Sequence, residues 1–108
     1  MSANFATSRD NTQIAYDING TGPALLLLHG GWRTRQDWHE AGYVERLQES
    51  FTVVTLDIRG NGESDKPIEP TGYTIAKLCE DILAVAEACS IDRFALWGFS
   101  YGGNIGRF

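Results

Sequence analysis

The stretch Leu96-Trp97-Gly98-Phe99-Ser100-Tyr101-Gly102-Gly103 decides the fold. It reads as a buried strand that turns through G-x-S-x-G into the start of a helix. A sharp strand-to-helix turn strains the residue at its apex and crowds the residues to either side. Glycine relieves that crowding, which accounts for Gly98 and Gly102, while Gly103 lets the helix pack closely. Ser100 then stands at a helix N-terminus, where free N–H groups and the helix dipole favour developing negative charge. Such a turn lifts one hydroxyl above the end of a sheet as a nucleophile. The backbone N–H of Tyr101 contributes to an oxyanion hole in this reading. Taken alone, the motif also reads as a glycine-rich turn with an incidental serine.

A serine hydroxyl becomes a good nucleophile only when a base, usually histidine, takes its proton. No histidine and no carboxylate follows Ser100. Upstream, Leu25-Leu26-Leu27-Leu28-His29-Gly30-Gly31-Trp32 places an H-G-G turn at the end of a second buried strand. Small residues in such a loop let a backbone N–H face a reacting carbonyl, the other half of an oxyanion hole. Gly31 is the first choice of donor, with Trp32 second if the register slips by one. His29, fixed beside the turn, reads as a residue that holds the loop by hydrogen bonding rather than as a base. His39 reads as a surface residue.

A third element is Asp57-Ile58-Arg59-Gly60-Asn61-Gly62-Glu63-Ser64. Its G-x-G-x-x start hints at a dinucleotide loop, but Asp65 stands where the last glycine belongs and no helix opens there. Asp57 and Arg59 read as a local ion pair bracing a turn, and Ser64 as a loop residue.

The rest of the chain has an α/β pattern. Phe5–Thr7 and Ile14–Ile18 flank Asp10-Asn11 as a β-hairpin. Ala24–Leu28 is a continuous apolar run, the mark of a strand buried on both faces. Trp38, Tyr43, Val44, Leu47 and Phe51 are spaced as one helical face, and Phe51–Leu56 follows as a β-branched strand. Ile75, Leu78, Cys79, Ile82, Leu83, Ala86 and Cys89 form an amphipathic helix capped by Thr74. Arg93–Trp97 is the last strand, and Gly102–Phe108 begins a helix. The whole is one domain, residues 1–108, with a mostly parallel sheet preceded by an antiparallel hairpin.

Composition narrows the function classes. A net charge of −5 without a basic cluster argues against nucleic acid and anionic membranes as partners. The N-terminus lacks the basic and apolar regions of a signal peptide, so a cytoplasmic protein is the expectation. Cys79 and Cys89, on one helix, would lie ~15 Å apart at ~1.5 Å per residue, too far to bridge. Two histidines and two cysteines without ligand spacing imply no metal site. No cofactor is implied either, since acyl hydrolysis needs only water.

Three motifs in this order resemble the α/β-hydrolase superfamily: H-G-G at 29–31 with Trp38 nine residues after His29, D-x-R-G-x-G-x-S at 57–64, and G-F-S-Y-G-G at 98–103. Tyr73-Thr74-Ile75 opening a helix and Asp81-Ile82 inside it also look familial. The resemblance runs from Phe5 to Phe108 and corresponds to the family's N-terminal half. It implies Ser100 as nucleophile, Gly31 and Tyr101 as oxyanion donors, a small-molecule acyl substrate, and an acid and a histidine from later strand ends. Serine at the apex argues against the haloalkane dehalogenase and epoxide hydrolase branches. Trp32, Trp38, Phe99 and Tyr101 suggest an apolar acyl pocket, though each also suits a core.

The leading expectation is therefore the N-terminal part of a serine hydrolase acting on an ester or related acyl bond, inactive as an isolated chain. The alternative is a non-catalytic binding or regulatory module on the same fold. In either case Arg93–Trp97 has no following strand in this sequence, and the open apolar edge invites self-association.

Overall fold

In the computed structural model, residues 4–29 and 33–98 are described. They form a five-stranded sheet: β1 (Asn4–Thr7), β2 (Gln13–Asn19), β3 (Ala24–Leu28), β4 (Thr52–Leu56) and β5 (Phe94–Gly98), in the spatial order β1-β2-β4-β3-β5. The hairpin β1–β2 is antiparallel, β2 joins β4 antiparallel, and β4, β3 and β5 are mutually parallel. This is the α/β arrangement the sequence pattern implies. Asn11 closes the hairpin with a left-handed φ of 69°, a conformation asparagine tolerates well.

The continuous apolar runs work because side chains alternate across a strand. Leu26 and Leu28 of β3, with Val54 and Leu56 of β4, face one side. There they meet Leu78, Ile82 and Val85 of helix α3 (Ile75–Ala88) together with Ile14. Leu27 and Val53 face the other side and pack on Trp38 and Val44. Both sides of β3 and β4 are thus covered over most of their length, as their mainly apolar sequences require.

Helix α3 begins as its sequence suggests. The Thr74 hydroxyl accepts from the Lys77 N–H at 3.3 Å, satisfying one of the free donors of the first turn. Cys79 and Cys89 are free, half-buried thiols packed against the core.

The segment before β4 departs from expectation. The spacing of Trp38, Tyr43, Val44, Leu47 and Phe51 suggests one helix, but the structure has two short ones, α1 (Gln36–Glu40) and α2 (Tyr43–Leu47). Gly42 between them has φ +84°, a left-handed value that ends one helix and redirects the chain into the next. Phe51 lies beyond α2, just before β4.

Candidate active site

From β3 the chain goes first to β4 on one side and then crosses back to β5 on the other. The strand order therefore reverses between β3 and β5. In open α/β sheets, ligands bind outside the carboxyl ends of the strands at such a reversal. At that end Leu28 and Gly98 are register partners. The residues next in sequence are His29-Gly30-Gly31-Trp32 after one strand and Phe99-Ser100-Tyr101 after the other. Ser100, Gly31, Trp32 and Tyr101, together with Phe99 and the helix read at Gly102–Phe108, lie outside the described residues.

The described residues supply the scaffold around this strand end. His29 is buried, and its Nε2 accepts a hydrogen bond from the Ile58 N–H at 2.9 Å. That bond occupies the lone pair a general base would use. His29 thus holds its loop, as its position in the sequence suggests.

Asp57, immediately after β4, is fully buried. One carboxylate oxygen accepts from the Arg35 N–H at 2.7 Å, and the other from Arg35 Nη1 and from the Glu63 N–H at 2.9 Å. Gly62 makes room for this carboxylate. At φ +53° it runs so close that a Cβ would collide with the Asp57 oxygens. Arg35 also bonds Asp17 through Nε at 2.8 Å and Glu63 through Nη2 at 2.9 Å. Burial alone would lower the pKa of this guanidinium; its bonds to Glu63 and Asp17 and the charge of Asp57 outweigh that and raise it.

Arg59 is equally buried but serves other elements. It makes a two-point bond to Asp81 of α3 at 2.6 and 2.7 Å, donates to the Gly72 carbonyl at 2.6 Å, and grips Asp10 of the hairpin turn at 2.9 and 3.1 Å. The Asp81 bonds lead in raising the Arg59 pKa, and Arg59 in turn holds the Asp10 carboxyl well below its usual range. Asp57 and Arg59 are therefore not the local ion pair the sequence suggests. Both lie past the end of β4, and each is matched by charges from other elements: Asp57 by Arg35, Arg59 by Asp81 and Asp10.

Ser64 is buried, with both hydroxyl roles in use. Its Oγ donates to the Asp57 carbonyl at 2.6 Å and accepts from the Ala15 N–H at 2.8 Å. It fastens the loop to β2 and offers no nucleophile. His39, expected at the surface, is half-buried, its Nε2 3.3 Å from Thr55 Oγ1 and 3.5 Å from Asp17 Oδ2.

Trp38 is core rather than pocket wall. It meets Tyr43 edge-on with ring centres 5.3 Å apart and Trp97 at 5.8 Å, while Tyr43 and Trp97 close the triangle at 5.5 Å. Arg35 is the residue that sequence reasoning overlooked. The available signal was a carboxylate at the end of a buried strand, which demands a cation, and an arginine in the neighbouring strand-to-helix loop.

The family model for the alpha/beta hydrolase fold matches residues 23–108. The chain belongs to the α/β-hydrolase family. This α/β-hydrolase chain is 35% identical over 93 residues to a fluoroacetate dehalogenase of Burkholderia sp., covering 83% of the chain and 30% of the relative. It is 34% identical over 91 residues to a soluble epoxide hydrolase of Corynebacterium sp., again covering 83% and 30%. Among solved structures it resembles an esterase from Exiguobacterium antarcticum, with TM-score 0.84 and 30% identity over 96% of this chain and 38% of that one. The chain spans about 30% of the length of these two curated relatives. Among the described residues, no helix is long and apolar enough to cross a membrane.

Proposed function

We propose that this α/β-hydrolase chain carries the nucleophile half of a serine hydrolase that cleaves an ester or related acyl bond. Ser100 attacks the acyl carbon, and the N–H groups of Tyr101 and of Gly31, with Trp32 as second choice, receive the oxyanion. The proton of Ser100 passes to a histidine from a later part of the protein and then to the departing alcohol. Water next attacks the acyl-enzyme, releasing the acid and restoring the hydroxyl. The isolated chain, without that histidine and its carboxylate, is inactive.

The observation that carries this reading is the pairing of Leu28 with Gly98 at the reversal of strand order. It gives the two motifs adjacent points of departure at the end of the sheet where ligands bind. The named relatives include a dehalogenase, an epoxide hydrolase and an esterase, and the chemistry of serine favours the last. A serine that opened an epoxide or displaced a halide would be left as an ether, which water does not readily cleave. An acyl-serine is an ester, and water can release it.

The test is hydrolysis of p-nitrophenyl acetate by the full-length protein with and without Ser100→Ala. Loss of the nucleophile should lower kcat by about 10⁶, the scale seen when one member of a serine triad is removed. Undiminished turnover in Ser100→Ala would overturn the reading. A full-length protein that is inert to the ester and unlabelled at Ser100 by a fluorophosphonate would point to a non-catalytic module.

A further inference from the structure

His29 follows β3 and Arg35 precedes α1, and the two are fastened to adjacent residues beyond β4, His29 to Ile58 and Arg35 to Asp57. His29 Nε2 accepts from Ile58 N at 2.9 Å. Arg35 donates its backbone N–H to Asp57 Oδ1 at 2.7 Å and its Nη1 to Asp57 Oδ2. Asp57 is fixed in turn by the Glu63 N–H and by the close approach of Gly62. Arg35 is fixed by Asp17 of β2 at 2.8 Å and by Glu63 at 2.9 Å. A guanidinium presents several donors in a rigid plane, so three carboxylates can hold it in one orientation.

We propose that Arg35 and Asp57 are positioning residues for the oxyanion hole: together with the His29–Ile58 bond they form a two-point clasp that fixes the two points between which the segment carrying Gly31 runs. The inference rests on the reading of Gly31 as an oxyanion donor. A donor must stand at hydrogen-bond distance from the place where the oxyanion forms, not merely near it. Five residues between anchors allow many paths unless both ends are fixed. The buried charge pair fits this role. It contributes little net stability compared with an apolar pair of the same volume, but it specifies one geometry.

Hydrogen exchange in the full-length protein tests the clasp directly. In Arg35→Gln, amides of residues 30–32 should exchange about tenfold faster, while those of α3 keep their rates, since local opening is read separately from global unfolding. Turnover of p-nitrophenyl acetate should fall about 10²-fold in kcat with KM within about twofold, the scale of a misplacement of about 1 Å. Inhibition by a trifluoromethyl ketone, whose carbonyl oxygen becomes the oxyanion of the hemiketal formed with Ser100, should weaken by the same factor as kcat/KM. Arg35→Lys, which replaces the planar fork by one point charge, should fall between.

Arg35→Gln leaves Asp57 buried without its counter-ion and can fail to fold. The double variant Arg35→Met, Asp57→Asn removes both charges and serves in that case, with the same outcomes expected. Unchanged exchange at 30–32 in a folded variant would overturn the clasp, as would equal acceleration in α3 or a ketone affinity that does not follow kcat/KM. Undiminished activity in Ser100→Ala would instead refute the hydrolase reading, and the exchange of residues 30–32 would still decide whether the clasp exists.

Discussion

Two buried arginines stand at the carboxyl end of this sheet, and they do different work with the same chemistry. Arg35 follows β3 and Arg59 follows β4; both are almost wholly excluded from water, and both are met by carboxylates. The partners of Arg59 belong to the hairpin turn, α3 and the 70–73 turn, all parts of the frame. The partners of Arg35 belong to β2, the end of β4 and the loop beside it, and its own backbone is the far anchor of the H-G-G-W excursion. A buried ion pair is thus read by what its atoms are attached to. On the proposal made above, the Arg59 cluster ties the frame together and the Arg35 cluster positions one loop.

The largest expected effect separates these two roles. Arg59→Met leaves Asp81 buried without a counter-ion, and breaking a buried pair from one side costs about 3–5 kcal/mol. In denaturant titration of the full-length protein the midpoint should drop accordingly, while the fraction still folded keeps its kcat and KM for p-nitrophenyl acetate. A loss of kcat in excess of the loss of folded protein would break the division between frame and site. The converse holds for the Arg35→Met, Asp57→Asn pair, which should retain most of the stability and lose turnover.

Glycines sharpen the same contrast at smaller scale. Gly62 and Gly42 both have positive φ, +53° and +84°. An alanine at Gly42 would meet nothing within 4 Å, so it should cost only the left-handed strain of about 1 kcal/mol. At Gly62 the new methyl would press into the Asp57 carboxylate. Gly62→Ala should therefore cost a further 1–3 kcal/mol or so, as overpacking does, and should disturb turnover. Equal stability losses in the two variants, measured by thermal melting, would show that the Asp57 carboxylate has room to shift.

Much of this fold is legible in the sequence because its signals are local. Ala24–Leu28 is bounded by Gly22-Pro23 and His29-Gly30, and the strand occupies that span. Helix α3 carries its own cap and a long apolar stripe, and it too lies where its periodicity places it. The joint at Gly42 was hidden because the apolar spacing around it fits a single helix; one backbone conformation, not the pattern, ends α1. The candidate site is less legible. Ser64 looks like a loop serine, and only the folded chain brings Ala15 to its hydroxyl. Arg35 looks like a surface charge, because the residues that bury it are 18, 22 and 28 positions away in sequence.

The smallest expected effect is a pH dependence in the frame cluster. Arg59 holds the Asp10 carboxyl below its ordinary value of 3.8 in the folded protein. A carboxyl whose pKa is depressed by folding stabilises the native state when ionised, and the unfolded chain takes up its proton first. The contribution of Asp10 should therefore be whole above about pH 5 and shrink as pH falls through the ordinary aspartate range and below. Because Asp10 is partly open to solvent, its pair with Arg59 is screened and contributes about 1 kcal/mol or less. Asp10→Asn should lower the urea midpoint at pH 7, and the gap to the parent protein should narrow steadily towards pH 3. A gap that stays constant over that range would mean that Asp10 acts through the shape of the hairpin turn, where its Oδ1 also accepts from the Thr12 N–H, and not through its charge. The charge of Arg59 would then serve α3 and the 70–73 turn, and the hairpin would be held by its strand pairing and by Ser64 and Asp65.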